Sequence, residues 1–529
     1  MPCPVQHSAL AAFCAEVACG IFSKRCAKAK SFPVIPYADF TFFGLLLYAV
    51  VPTLLLGLLG RANWRWALLI TAVMLVIQYQ AHVRISSHRE VREFWMVAVF
   101  AVWQWAVIHA FVTMGVRKTG MFAGALAASI LPLALAKVTG FFHPQRELGF
   151  LGISYVSFRA LDLLFCLRDN VIATPGLFDF LGFLFFFPTI SAGPIDRYRR
   201  FTADWWKRRS RAEFIADLDA AVHRIFRGFL YKFIVAALIK QYWLDRVASG
   251  DTLGALVSYM YAYSLYLFFD FAGYSAFAIG FSYLFGIHTP ENFNRPFLAR
   301  NIRDFWNRWH ITLSFWFRDH VYMRFLLAAR RGGWIGNAHL TAITGYFLAF
   351  GLMGLWHGLE LRYILYGVYQ ATLLSGFHIF SEWSKGRLLP VDNPLWRAGA
   401  VFVTFQLVCF GFLIFSGRLG AGPEFNYAGA LERADCSEIS GWALDKHQPN
   451  SPLRIDLYEE KEYITAIDAD QFREDLREAG YGKGRHAFRI QTPPQLKDGR
   501  AHILSISVAG TKRTIATTPP IVVCHETER

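Results

Sequence analysis

Apolar residues run through most of this chain in stretches long enough to cross a bilayer, separated by short polar loops. Windows of roughly 18–22 residues place spans near 40–59, 67–80, 94–116, 121–138, 178–191, 226–244, 253–285, 340–355, 361–380 and 399–415. Some of these runs are short or interrupted, and about ten to twelve membrane helices are expected. Between 141 and 335 the apolar helices alternate with basic, aromatic-rich stretches, which suit helices that lie in the interface or re-enter the membrane. After Gly420, Ala421, Gly422 and Pro423 the pattern changes to short strands near 439–444, 453–458, 463–469, 487–491 and 502–508, with a short helix near 471–479. The expected fold is an all-α polytopic membrane protein over 35–420, followed by a small all-β sandwich over 429–525. Residues 1–34 fit neither pattern. Their apolar stretch at 10–22 is interrupted by Glu16 and followed by a lysine-containing segment, and a disordered extension is expected there.

Composition and charge sharpen this reading. The chain has 529 residues, is 54% hydrophobic and carries a formal charge of +15. Residues 431–529 are slightly acidic, with 16 acidic and 14 basic side chains, so the positive excess lies in the membrane part. Short basic loops between apolar spans follow the positive-inside rule and meet anionic headgroups, which argues against a nucleic-acid partner. The eight cysteines contain no CxxC pair, so no metal site is expected. Cys436 and Cys524 stand near the two ends of the β region and would bridge it in an oxidising compartment, or remain two free thiols.

The chemistry concentrates in a few places. Trp356, His357 and Gly358 fall between two apolar segments, and His310 precedes His357 by 47 residues. A histidine at membrane depth is costly, so it faces a bundle interior or a wet cavity and marks a functional site by default. On a continuous helix Trp306, Trp309 and His310 would share one face, with Asn307 beside them. Asp270 lies inside an apolar run, where it needs an arginine or several hydrogen-bond donors; structural pairing is the more economical role for it than catalysis. Leu184–Arg200 ends an apolar helix at Pro188 and passes through Ser191-Ala192-Gly193-Pro194 into seven Lys/Arg between Arg197 and Arg211. Such a stretch either anchors the chain to anionic lipid or docks an acidic partner.

Four long phrases carry a specific resemblance: FFPTISAGPIDRYRRF, DFAGYSAFAIGFSYLFGI, RDFWNRWHITLSFWFRDHVYMRF and MGLWHG. They resemble the membrane-bound O-acyltransferase family over roughly residues 35–418. Within it they are most similar to the branch that moves D-alanine in teichoic-acid D-alanylation, with polysaccharide O-acetyltransferases as near relatives. The resemblance implies a helical funnel whose thin centre holds a tunnel, with His357 as the family's essential histidine and His310 as its second one. It implies a multi-pass cell-membrane enzyme with no permanently bound cofactor, whose acyl donor sits on the phosphopantetheine arm of an acyl carrier protein. An envelope glycopolymer, and an extracytoplasmic accessory acyltransferase, would be the further partners. His357 would act as general base and His310, with Asn307, would orient it or meet the developing oxyanion. Trp306, Trp356 and Asp270 would support the site. Arg197, Arg199, Arg200, Arg295, Arg303 and Arg308 would receive the carrier. Acetyl transfer to an exopolysaccharide or peptidoglycan is the alternative, and a non-catalytic transporter or scaffold a third reading. The N-terminal extension and the β region lie outside the resemblance; the β region is similar to small modules attached to glycan enzymes and is expected to bind a glycan or a protein.

Overall fold

A computed structural model of the chain describes residues 35–38, 40–79, 82–86, 89–116, 118–142, 148–247, 252–385, 393–419, 427–445, 448–459, 462–509, 515 and 521–523. The expected extension at 1–34 and the Gly–Pro junction after Gly420 lie outside these residues. The chain forms two units, one of residues 1–240 and 263–416, the other of 241–262 and 417–529.

The first unit is helical. In chain order it contains α1 (Phe40–Leu58), α2 (Trp64–Gln78), α3 (Glu93–Met114), α4 (Thr119–Phe142), α5 (Ile153–Arg168), α6 (Leu177–Phe185), α7 (Tyr198–Trp205) and α8 (Arg211–Phe229). There follow α9 (Leu253–Leu284), whose first residues belong to the second unit, α10 (Ile302–Trp306), α11 (Ile311–Phe317), α12 (Met323–Gly332), α13 (Ala338–His357), α14 (Leu361–Trp383) and α15 (Pro394–Ser416). Among the described residues, six helices (α1, α3, α4, α9, α13 and α15) are long and apolar enough to cross a membrane. This is fewer than the ten to twelve expected, for local reasons. The run at 178–191 stops being α-helical after Phe185 and tightens into a 3-10 turn at Phe187–Thr189, because Pro188 cannot continue the helix. The run at 226–244 carries Lys232 and Lys240 and winds partly as π-helix, from Leu230 to Ala236 and from Lys240 to Leu244. α14 is 23 residues long, but Arg362, Gln370, His378 and Glu382 dilute its hydropathy.

Between α2 and α3 the strands β1 (His82–Ser86) and β2 (Arg89–Arg92) form an antiparallel hairpin that hydropathy alone did not indicate. α5 is buried on nearly every side and carries Arg159 and Asp162 into the core. A buried guanidinium is tolerable when its donors are used. Arg159 donates to the carbonyls of Phe183 and Leu184 at 3.1 Å and of Thr189 at 2.9 Å, and to the Thr189 hydroxyl. It thereby holds the broken end of α6 in place.

The second unit contains β3 (Tyr427–Ala434), β4 (Glu438–Asp445), β5 (Leu453–Glu459), β6 (Glu462–Ala469), β7 (Gln471–Phe472), β8 (Arg485–Gln491), β9 (Ala501–Val508) and β10 (Ile521–Val523). Two four-stranded antiparallel sheets, in the orders β10-β9-β5-β6 and β3-β4-β8-β7, share a core that includes Ile439, Ile455, Leu457, Phe488, Leu504 and Ile506. The expected sandwich is present, with β3 as an additional strand that its small residues (Ala428, Gly429, Ala430) had masked. The expected helix at 471–479 contracts to Glu474–Glu478, its start taken by the edge strand β7. Cys436 is disulfide-bonded; Cys524, its expected partner, lies outside the described residues. The segment 241–262 also joins this unit, where the Arg418 guanidinium lies 5.8 Å from the Tyr259 ring centre.

Candidate active site

His357 is the last residue of α13, and its position follows from a close helix crossing. A Cβ on Gly354 would lie 2.5 Å from the Tyr363 carbonyl oxygen, and one on Gly367 would lie 2.4 Å from that of Phe350. Only hydrogen fits on both, so α13 and α14 approach backbone to backbone, as small residues allow in membranes. The turn between them is equally tight, since a Cβ on Gly358 would meet the Tyr363 ring at 2.7 Å. The Lys137 ammonium of α4 donates to the His357 carbonyl at 3.1 Å, satisfying one of the carbonyls left open at a helix end. The imidazole is half-buried, between Trp356 (ring centres 4.5 Å apart), Phe415 of α15 (4.9 Å) and Tyr363 of α14 (5.9 Å). Neither of its nitrogens hydrogen-bonds a described residue.

His310 is positioned differently. The expected continuous face of Trp306, Trp309 and His310 does not exist, because α10 ends at Trp306 and His310 caps α11 in the left-handed region (φ 43). The break turns the imidazole away from its neighbours. Trp309 packs on Phe305, Phe293 and Phe412, whereas His310 meets Phe271 edge-on at 4.8 Å and lies 6.3 Å from the Tyr155 ring. Its Nε2 is buried without a hydrogen-bond partner, as is Nε1 of Trp356. Tyr155 joins the two histidine environments, for its ring also packs on Trp356 at 5.8 Å. Among the described residues no hydrogen bond or ring contact links the two imidazoles directly. Nε2 of His310 and Nε1 of Trp356 are thus two polar atoms open to a ligand, on rings that both lie against Tyr155.

The other expected supporting residues lie elsewhere. Asn307 is exposed and bonds neither histidine. Trp306 donates to the Gln370 amide oxygen at 3.2 Å and braces α10 against α14. Asp270 pairs with Lys232 at 2.5 Å rather than with an arginine, at a point where a Cβ on Gly273 would sit 2.8 Å from Lys232. Its role here is structural pairing.

The expected docking arginines divide sharply. Arg197 is held by Asp162 at 2.8 Å, by Asp319 and by the Phe315 carbonyl, and it touches His320, which itself binds Asp162 at 2.9 Å. Arg200 is held by Asp196, by Asp204 at 2.9 Å and by the His288 carbonyl. Both are engaged in an ionic layer with carboxylates of this chain. Arg308 pairs with Asp304 at 2.7 Å, and Arg303 lies over the Phe377 ring. Arg199 and Arg295 are exposed and make no ion pair with a described residue. The Ser191–Pro194 turn is pinned by Tyr274 of α9, whose hydroxyl bonds the Ser191 hydroxyl at 2.7 Å and accepts from the Ala192 amide at 2.9 Å. Thr312, two residues after His310, accepts from the Ile195 amide at 3.0 Å and donates to Asn292 at 2.6 Å. The ionic layer thus fixes α11 and with it His310. At its edge, hydrogen bonds to Asp204 and Asp217 push the His288 imidazole up to about 9.

Tyr155, Lys137, Phe271, Phe415 and the Gly354/Gly367 crossing were not evident beforehand, since each is an ordinary residue in an apolar helix. Comparison with known proteins places this chain in a family. The chain is 43% identical to the teichoic acid D-alanyltransferase of Bacillus subtilis (strain 168) over 396 residues, 72% of this chain and 98% of the relative. It is 36% identical to the teichoic acid D-alanyltransferase of Lacticaseibacillus rhamnosus over 73% of this chain and 97% of the relative. A probable alginate O-acetylase, AlgI of Pseudomonas aeruginosa, is 33% identical over 50% of this chain and 48% of its own length. The pattern that defines the membrane-bound O-acyltransferase family matches residues 63–417, which contain both histidines and the whole layer around them. This protein is a membrane acyltransferase and belongs to the membrane-bound O-acyltransferase family.

Proposed function

We propose that the protein transfers D-alanyl groups from a carrier-protein thioester to a hydroxyl of an envelope polymer or an intermediate acceptor. The observation that carries this reading is coverage: the match takes in 98% of a teichoic acid D-alanyltransferase but 48% of an alginate O-acetylase. In this reading an unprotonated imidazole nitrogen of His357 takes the proton of the acceptor hydroxyl as its oxygen attacks the thioester carbonyl. The new C–O bond forms, the C–S bond breaks, and the proton passes from His357 to the leaving thiolate. Nε2 of His310 and Nε1 of Trp356 are the free polar atoms suited to orienting acceptor or carbonyl oxygen. The donor's phosphopantetheine arm supplies the activated acyl group. Arg199, exposed and unpaired, is the docking residue best placed to meet an acidic carrier, and salt should weaken that encounter.

Acetyl transfer to a polysaccharide is the second reading, supported by the alginate O-acetylase match. Mass spectrometry of envelope polymers from cells with the wild-type protein or with His357→Ala separates the two. Loss of D-alanyl esters in the variant is the expected result. Loss of acetyl esters with D-alanyl esters intact selects the second reading, and polymers unchanged in both overturn the role of His357.

A further inference from the structure

A second cavity, of about 610 Å³, is formed by α8 and its π-helical continuation, the C-terminal half of α9 and the loop 291–298. Along α9 it runs from Ile279 to Phe268, about 16 Å at 1.5 Å per residue. Three arginines line it. Arg224 is paired with Glu291 at 2.6 Å and lies over the Tyr283 ring. Arg227 and Arg295 are exposed, and their guanidinium groups make no hydrogen bond or ion pair with a described residue. Arg295 is also held in the left-handed region (φ 47), a conformation costing ~1–2 kcal/mol for a side-chain-bearing residue. Its loop is pinned there by the Asn294 amide, which donates to the Arg308 carbonyl at 2.9 Å. The neighbouring surface is apolar and open: Phe226 is 70%, Leu230 47% and Leu298 58% exposed. Two guanidinium groups without a protein carboxylate beside a candidate spanning helix offer charge to an anion, and the apolar side chains flanking them suit hydrocarbon rather than water.

We propose that this cavity binds the phosphate diester headgroup of an anionic phospholipid. Arg227 and Arg295 hold the phosphate oxygens, and the acyl chains lie along Phe226, Leu230 and Leu298. The site is separate from the histidines, so it stands or falls independently of the catalytic reading. Native mass spectrometry of the full-length protein in detergent tests it, with phosphatidylglycerol, phosphatidylcholine and soluble glycerol phosphate as probes. The wild type should retain one phosphatidylglycerol per chain in preference to phosphatidylcholine. The double variant Arg227→Gln/Arg295→Gln should weaken that binding about ten- to thirtyfold. The pair Arg227→Lys/Arg295→Lys, which keeps the charge, should retain most of it and serves as the control for folding. Undiminished phosphatidylglycerol binding in the glutamine pair overturns the proposal. Displacement of the lipid from the wild type by equimolar glycerol phosphate overturns it too, since the chains would then contribute nothing.

Discussion

The histidine pocket and the ionic layer next to it use the same residue type in opposite ways. His320 stacks on Phe165 and gives its Nε2 to Asp162, with Arg197 alongside. His310 lies among aromatics too, edge-on to Phe271, yet its Nε2 has no partner. Both rings are buried in aromatic surroundings, so burial does not distinguish the structural histidine from the catalytic candidate. The carboxylate does: Nε2 of His320 is held by Asp162, and no carboxylate among the described residues reaches His310. The layer pairs Asp162, Asp196, Arg197 and Arg200 within the protein, whereas Nε2 of His310 and Nε1 of Trp356 have no partner among the described residues.

Breaking the ionic layer should have the largest effect on stability. Asp162→Ala removes the carboxylate that His320 and Arg197 share, leaving Arg197 with Asp319 and the Phe315 carbonyl. Loss of one partner of a buried ion pair costs about 3–5 kcal/mol. The unfolding midpoint in detergent should fall markedly, and activity should fall with the folded fraction. A midpoint within a degree of wild type would show that the layer is dispensable and erase the contrast. The histidine pocket should behave in the opposite sense. His310→Asn, which tolerates the left-handed backbone, should lower turnover about a hundredfold while the midpoint stays put. A variant that loses stability in proportion to activity would make His310 a structural residue like His320.

Gly354→Leu probes what holds the pocket together. Its side chain would have to displace the Tyr363 backbone, and overpacking of this kind costs roughly 1–3 kcal/mol. Because the displacement is centred one turn from His357, turnover should fall more than stability does. Equal loss of both would mean that the crossing braces the fold and leaves the imidazole's placement to other contacts.

The smallest effect concerns pH at the edge of the ionic layer. Asp204 and Asp217 raise the His288 imidazole to about 9 in the folded protein, above its ordinary value near 6.5. A raised folded value means that the stabilisation is fully present below about pH 6.5 and is lost as pH rises through 9. Unfolding midpoints measured across that window should decline in the wild type and decline less in His288→Gln. Identical slopes would remove His288 from the layer.

Much of this was readable in the chain. His357 and His310 stood out because titratable side chains are rare in apolar stretches, and the long motifs around them pointed to the family. The β-sandwich was visible from alternation and turn residues, apart from β3. The unexpected contacts share a cause. Asn307, Arg197 and Arg200 were placed by proximity in sequence, but a helix break at His310 and carboxylates contributed by α5, α7 and the segment after α11 decide where those side chains go. Asp162, the centre of the layer, drew no attention because one carboxylate in a mixed segment has no periodic signature.

The sequence by itself determined membrane insertion, the division into helical and β regions, and the two histidines proposed to carry the chemistry. Hydropathy, periodicity and residue type are local quantities, and these features depend on little else. Tertiary structure decided which polar groups are paired and which are left free, because pairing requires groups far apart in the chain to meet. Arg197 reads as a docking residue until Asp162, 35 positions earlier, closes on it. His310 reads as one more aromatic-face residue until the left-handed turn sets its ring beside Phe271 and Tyr155, apart from Trp309.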